Sequence, residues 1–129
     1  MESKKLKLTF ITGNKGKLEE FLAILGEDLA SKYEVNNVAV DLEEIQGESE
    51  KIAKHKAKLA STYCSNPVIV DDVSLCFNAF KGLPGPYVKC FLDKVGAEGL
   101  HKMVSPFQDQ SGYALCTLAI CESPEHEPQ

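Results

Sequence analysis

The 129-residue sequence contains no tryptophan and no arginine, and all 14 of its basic residues are lysines. Without guanidinium groups, the chain cannot form the two-pronged hydrogen bonds by which arginine binds carboxylates and phosphates. The formal net charge of -5 lacks the basic surplus of a nucleic-acid groove, so we expect no nucleic-acid partner. Any phosphate that the protein binds must be held locally, by few lysines.

Long apolar runs are also missing, because no run approaches the ~20 residues that a membrane-spanning helix needs. The charged segment MESKKLK at the start is not followed by the apolar region of a signal peptide. We therefore expect a cytoplasmic protein that has no membrane partner.

The chain has five cysteines, an odd number, and they form no C-x-x-C pair. Its three histidines lie far apart in the sequence. Most of the cysteines occur in apolar patterns, which favours buried, reduced thiols over a disulfide framework or a zinc site. The histidines offer no metal-binding spacing. The residues concerned are Cys64, Cys76, Cys90, Cys116, Cys121, His55, His101 and His126.

The length and the 43% apolar composition are those of one ordinary globular domain. No internal repeat and no linker divides the chain. We therefore predict a single domain over residues 1–129, in which residues 122–129 form a polar, proline-broken tail.

The stretch Phe10 to Phe21 (FITGNKGKLEEF) carries the first candidate site. Alternation over Leu6 to Ile11 predicts a strand, and the helix predicted after the turn at Thr12 to Asn14 has Lys17 in its first turn. A helix N-terminus presents unpaired N–H groups and a favourable dipole to an anion, so this pattern predicts a phosphate site. It fits equally an ordinary strand–helix turn in which Asn14 caps the helix and the lysines face solvent.

The next elements are predicted from their apolar spacing. The first helix has one apolar face and ends at Gly26, and Tyr33 to Leu42 forms a second strand. The acidic segment DLEEIQGESE, which contains Glu44, is too polar for an element interior and is predicted to be a loop. The apolar face of the first helix consists of Leu18, Phe21, Leu22 and Leu25.

A second helix is predicted over Ser49 to Cys64, with Ile52, Leu59, Ala60 and Tyr63 on its apolar side. Lys56 is unusual, because it stands four residues after Ile52 and so lies on the apolar stripe. The pattern leaves open whether this lysine extends along the helix to solvent or serves a site.

The run Val68 to Val70 predicts a buried strand that ends in two carboxylates, Asp71 and Asp72. Ligands of open α/β sheets bind at the carboxyl ends of the strands, which favours a functional interpretation of these acids. Because side chains alternate along a strand, at most one of the two joins a given site directly.

The remaining elements follow a rigid loop, Lys81 to Pro86, in which Pro86 is predicted to start a helix. That helix packs its apolar face on the core and ends at Gly96, and a short helix follows. Gly112 to Cys121 is predicted to be a central strand. The two helices have as apolar residues Val88, Phe91, Leu92 and Val95, and then Leu100, Met103 and Val104.

A phosphate-binding turn with Lys17, an acidic loop with Glu44 and strand-end acids at Asp71 and Asp72 together predict a site for a phosphate chain and Mg²⁺. Magnesium prefers a few carboxylates completed by water and phosphate oxygens. The chemistry indicated is metal-assisted hydrolysis of a phosphoanhydride, in which one carboxylate activates water.

The sequence resembles the inosine triphosphate pyrophosphatases, which hydrolyse non-standard purine nucleoside triphosphates such as ITP, dITP and XTP to the monophosphate and pyrophosphate. The resemblance extends through the chain: TGNKGKLEEF, DLEEIQGE, VDDVSLCFNAFKGLPGPYVKCFL, GLHKM and SGYALCTLAI. It implies an α/β fold with a mixed, twisted sheet flanked by helices between two lobes, and a homodimer.

The resemblance also implies roles for individual residues. Asp72, or a water that it holds, would supply the catalytic base. Glu44 and Asp72 would bind Mg²⁺ (or Mn²⁺), and Val73 would contribute its backbone. The nucleotide would be contacted by Lys56 and Lys89. The triphosphate would be held by Thr12, Gly13, Asn14, Lys15, Gly16 and Lys17.

The sequence also departs from the family. Relatives continue for several tens of residues with a Phe-Gly-Trp-Asp-like segment that reads the purine and a Ser-His-Arg motif. The resemblance therefore implies that the fold lacks its usual C-terminal part and that the edge of Gly112 to Cys121 is exposed or paired to another chain. The alternative functions are a truncated, weakly active or inactive isoform that binds nucleotide or dimerises, and a phosphate-binding regulatory module.

Overall fold

The computed structural model describes residues 5–129, so residues 1–4 of the predicted domain lie outside the described residues. The described chain divides into two compact units. The first comprises residues 5–46, 50–71 and 118–129, and the second comprises residues 47–49 and 72–117.

Within residues 5–129, five strands and three α-helices make up an α/β fold with a mixed sheet, which confirms the predicted fold class. β1 pairs in parallel with β2 and β3, β3 pairs antiparallel with β4, and β5 also pairs with β3. In residues 5–129 no helix is both long and apolar enough to cross a membrane. The elements are β1 (Leu6–Ile11), α1 (Lys15–Ala30), β2 (Tyr33–Val38), α2 (Ser49–Ser61), β3 (Val68–Phe77), β4 (Pro84–Gly85), α3 (Val88–Val104) and β5 (Gly112–Cys121).

β1 has the predicted bounds, but β2 ends at Val38 and not at the predicted Leu42. The reason is its partner, because Ile11 is the last residue of β1 and pairs with Val38. The residues after Val38 therefore have no residue of β1 to pair with. Val40 and Leu42 are instead partly buried against the core of the first unit, so their alternation reflects burial without strand structure.

Helix α1 begins after Asn14, whose side chain caps it, and is interrupted at Gly26. At Gly26 the backbone takes φ 81° and ψ 165°, a conformation that is open to glycine and strained for other residues. This confirms the predicted helix end. The apolar face is half-buried, and the ring of Phe21 stacks on that of Phe10 from β1, with 5.1 Å between the ring centroids.

Helix α2 packs on the strands of the first unit through alanines. Ala53, Ala57 and Ala60 are fully buried in one cluster with apolar residues of β1, β3 and β5. The helix ends at Ser61, so the predicted extension to Cys64 is wrong, and Tyr63 is exposed instead of packed. Small side chains on the buried face let the helix backbone approach the sheet closely.

Ala57→Leu is expected to lower the free energy of unfolding by about 1–3 kcal/mol, because the added methylenes have no space at a position of 0% exposure. Urea denaturation of the purified protein measures this. The matched control is Ala23→Leu at an exposed position of α1, for which we expect a change within about 0.5 kcal/mol. Equal effects at the two positions would contradict the close packing of α2.

β3 begins at Val68 as predicted but does not end at the acids. It continues through Asp71 and Asp72 to Phe77, so the prediction that a strand ends there is wrong. Burial alternates along this part of the strand, where Asp72, Ser74 and Cys76 are buried and the residues between them are more exposed. The parallel pairing with β1 covers only the start of β3, so the acids follow the end of that pairing.

In the second unit, α3 begins at Val88, and Pro86 lies before its cap residue Tyr87 instead of starting the helix. The helix is interrupted at Gly96, with φ 70° and ψ 176°, which confirms the predicted break. Leu92 and Val95 are exposed, so the prediction that they pack on the core is wrong.

β5 has the predicted bounds, but its position is not that of a central strand. Most of its side chains are exposed, including Tyr113, Leu115 and Leu118, and among the described strands it pairs with β3 alone. The predicted tail is irregular, as expected, yet it folds back: Gln129 donates to and accepts from the backbone of Ile120, at 2.8 and 2.7 Å.

All five cysteines fall within the described residues, and none is in a disulfide. Cys76 and Cys121 are buried, whereas Cys90 and Cys116 are exposed, which corrects the prediction that most are buried.

Candidate functional site

The turn between β1 and α1 is fixed by hydrogen bonds of its own. The Thr12 amide donates to the Val38 carbonyl at 3.0 Å, and the Thr12 hydroxyl accepts from the Asn14 amide at 3.0 Å. The Asn14 side-chain oxygen accepts from the amides of Gly16 at 2.9 Å and Lys17 at 3.4 Å. Asn14 therefore satisfies two donors of the first helical turn, and an anion there would compete with this cap.

Glycine at position 16 belongs to this cap. A Cβ at Gly16 would lie 3.1 Å from the Asn14 side-chain oxygen, tighter than ordinary contact, whereas one at Gly13 would lie 3.4 Å from the Cβ of Ala39. A side chain at position 16 would therefore require the Asn14 side chain to shift by a few tenths of an ångström. Lys15 between them is exposed.

Lys17 does not extend into solvent. Its Nζ atom lies 3.0 Å from Oδ2 of Asp71, forming an ion pair in which the Lys17 side chain is 42% exposed and that of Asp71 is 13% exposed. The strand register explains the contact: since Phe10 pairs with Ile69 in parallel, Asp71 stands level with Thr12, where the turn to α1 begins.

Lys56 is likewise held inside the first unit. Its Nζ atom donates to the backbone carbonyl of Asp71 at 3.0 Å and lies 3.3 Å from Oε1 of Glu44. The lysine side chain is 15% exposed, and the Glu44 side chain is about half-exposed. The side chain is therefore mostly buried, its ammonium group has two partners within the first unit, and it does not extend to solvent along the helix.

Together these four residues form what we call the lysine–carboxylate cluster: Lys17, Lys56, Glu44 and Asp71. Two positive and two negative groups are linked in one chain of contacts, with Asp71 at its centre through both its carboxylate and its carbonyl. The sequence placed Asp71 among the strand-end acids of the predicted site, but its contacts with Lys17 and Lys56 were not predicted. The parallel pairing of β1 with β3 is the signal that could have identified them.

The other predicted site residues belong to the second unit. Asp72 is buried, at 5% exposure, whereas Val73 and Lys89 have exposed side chains. Asp71 and Asp72 follow each other in β3 with different surroundings, as alternation along a strand predicts. The contacts of these three residues with a nucleotide stay predictions.

The donors predicted for Mg²⁺ are carboxylates, the hard oxygen ligands that this ion prefers. Among residues 5–129 no group of three or more histidine, cysteine, aspartate or glutamate side chains is arranged to hold a metal ion.

The fold and the cluster define an α/β protein with paired lysines and carboxylates beside a strand–turn–helix connection. Solved structures share this fold: a Ham1 protein from Coxiella burnetii (TM-score 0.79, 20% identity, 96% of this chain and 68% of that one) and the Staphylococcus aureus Ham1 protein (TM-score 0.74, 23% identity, 95% and 66%).

Residues 8–129 match the Ham1 family, and the chain belongs to this family. It is 50% identical over 117 residues to the inosine triphosphate pyrophosphatase of Giardia intestinalis, covering 91% of this chain and 58% of the relative. It is 50% identical over 121 residues to the protein of that name from Tuber melanosporum, covering 94% and 64%. These relatives confirm the resemblance found in the sequence motifs.

The coverage of these relatives is partial. The chain spans about three fifths of the length of the Giardia intestinalis and Tuber melanosporum proteins that it matches.

Proposed function

We propose that this chain hydrolyses non-standard purine nucleoside triphosphates, such as ITP, dITP and XTP, to the monophosphate and pyrophosphate. The observation that carries the proposal is the lysine–carboxylate cluster at the start of α1, which concentrates two ammonium groups beside the turn. Family membership supports the same reaction, since relatives of this family are named inosine triphosphate pyrophosphatases.

Within the first unit, we assign the triphosphate to the turn over Thr12 to Lys17. The Lys17 ammonium group would exchange its partner Asp71 for phosphate oxygens, and the amides of Gly16 and Lys17 would be available once the Asn14 cap moves. Lys56 would contact the nucleotide from α2. Charge-assisted hydrogen bonds of this kind stabilise the negative charge that develops on the departing pyrophosphate.

Within the second unit, we assign the general base to Asp72, a buried carboxylate that would take a proton from the attacking water. Val73 would contribute its backbone and Lys89 a contact to the nucleotide. We assign binding of Mg²⁺, or Mn²⁺, to Asp72 as well, and separately to Glu44, which belongs to the first unit. When bound, such an ion neutralises charge on phosphate oxygens.

The test is to incubate the purified protein with ITP and Mg²⁺ and to measure inosine monophosphate and pyrophosphate. We expect the two products in equal amounts, loss of activity with a chelator, and much slower turnover of ATP. Release of orthophosphate would contradict the assignment of the cleaved bond. Absence of any product at high protein concentration, with ITP still bound, would favour the alternative of a nucleotide-binding or dimerising protein.

We also propose that the protein is a cytoplasmic homodimer. The exposed apolar side chains of β5, among them Tyr113, Leu115 and Leu118, are compatible with a partner chain, since exposed apolar residues on a strand favour association. Sedimentation analysis of the purified protein tests the dimer.

A further inference from the structure

Asp71 forms an ion pair with Lys17, the lysine to which we assign phosphate binding in the first unit. Its carboxylate lies 3.0 Å from the Lys17 ammonium group, and its side chain is 13% exposed, so the carboxylate is held against the lysine instead of moving freely in solvent. The acid follows a buried β-strand residue, Val70, which fixes its backbone.

The second contact of Asp71 is made by its backbone carbonyl and not by its carboxylate. The carbonyl accepts a hydrogen bond from Lys56 at 3.0 Å, and Lys56 has its own acidic partner in Glu44. A substitution that removes only the carboxylate of Asp71 therefore releases Lys17 and leaves the contacts of Lys56 in place.

We propose that Asp71 is a built-in competitor for polyphosphate, which holds Lys17 in position and neutralises it until a phosphate chain displaces the carboxylate. This inference rests on the proposed phosphate-binding role of Lys17. The physical reason is that the Asp71 carboxylate and a phosphate chain are attracted to the same ammonium group, and the paired carboxylate neutralises the charge that would attract the phosphate chain. The carboxylate would also repel the incoming anion.

The test uses inorganic tripolyphosphate with a chelator present, so that neither hydrolysis nor a metal ion contributes to the measured affinity. We expect Asp71→Asn to bind tripolyphosphate about three- to tenfold more tightly than the unmodified protein in titration calorimetry. The gain should shrink as salt is raised, because ions screen partly exposed charges. Unchanged or weaker binding would overturn the proposal.

The matched control is Glu50→Gln. Glu50 forms an exposed ion pair with Lys54 at 3.0 Å on α2, so this variant removes the same charge from another lysine. Lys54 lies two residues from Lys56 and faces another side of the helix. We expect no change in the affinity of Glu50→Gln for tripolyphosphate, and a gain equal to that of Asp71→Asn would count against competition at Lys17.

A double-mutant cycle separates displacement from general repulsion. In a Lys17→Ala background, the gain from Asp71→Asn should be much smaller, because the donor for which the two anions compete is gone and only the repulsion between the carboxylate and the phosphate chain remains. A gain of undiminished size there would overturn the proposal. Asp71→Ser serves as a second variant if Asp71→Asn does not fold, since it also removes the carboxylate and the same tightening is expected.

The outcome is independent of the hydrolysis assay. Because tripolyphosphate binding needs no turnover, a protein that fails to hydrolyse ITP can still show the gain. Conversely, normal ITP hydrolysis together with unchanged tripolyphosphate binding in Asp71→Asn would overturn this inference and leave the proposed function standing.

Discussion

Asp72→Asn is expected to lower the rate of pyrophosphate release from ITP by about 10²–10⁴-fold, the usual contribution of a positioned general base. Asparagine has nearly the volume of aspartate, so the buried position should stay filled, while the amide cannot take a proton from water. Initial rates at saturating ITP and Mg²⁺ measure the effect, and thermal denaturation of both proteins shows whether the variant is folded.

The control for that experiment is Asp93→Asn, which makes the same change at an exposed position of α3. Its rate should equal that of the unmodified protein. If Asp72→Asn kept its full rate while folded, Asp72 could not be the base, and the proposed mechanism would lose its central residue. A loss of equal size in both variants would point to an effect of net charge.

Lys17→Ala is expected to weaken ITP binding about ten- to a hundredfold, the range for a hydrogen bond to a charged group. The loss includes the effect of leaving the Asp71 carboxylate without its lysine partner beside the phosphate chain. Binding of inosine monophosphate should change much less, since Lys17 is assigned to the phosphate tail. Calorimetric titrations of ITP and of inosine monophosphate, with a chelator present, measure the loss of affinity for each nucleotide.

Lys54→Ala is the matched control, because Lys54 also forms an ion pair at 3.0 Å but on the exposed side of α2. We expect it to bind both nucleotides as the unmodified protein does. An equal loss for ITP and inosine monophosphate in Lys17→Ala would place Lys17 away from the phosphate tail and would remove the main support for the assignment of the turn.

The sequence predicted local features well where a single residue determines the backbone conformation. Gly26 and Gly96 interrupt their helices because glycine accepts positive φ, and this preference is visible without any tertiary information. β1 and β5 have the predicted bounds, and turn residues directly follow both runs. Features of this kind depend on a few neighbouring residues.

Features that depend on partners were predicted less well. β2 stops at Val38 because its neighbour stops, and no alternation of Val40 and Leu42 could reveal that. Leu92 and Val95 fit an apolar helix face, yet their spacing does not show whether another element packs against them, and in the structure they are exposed. The contact of Asp71 with Lys17 joins residues 54 positions apart and depends on the pairing of β1 with β3, so only the fold could reveal it.

The buried alanines of α2 control the position of Lys56 as well as the stability of the fold. Ala57 is fully buried, and the next residue in the chain toward the N-terminus is Lys56, whose ammonium group must reach the Asp71 carbonyl. Side-chain size at Ala53, Ala57 and Ala60 therefore sets how far that lysine can reach. Mild enlargements of these alanines should appear first as weaker ligand affinity in proteins that still fold, and genetic variants there should be scored by binding as well as by abundance.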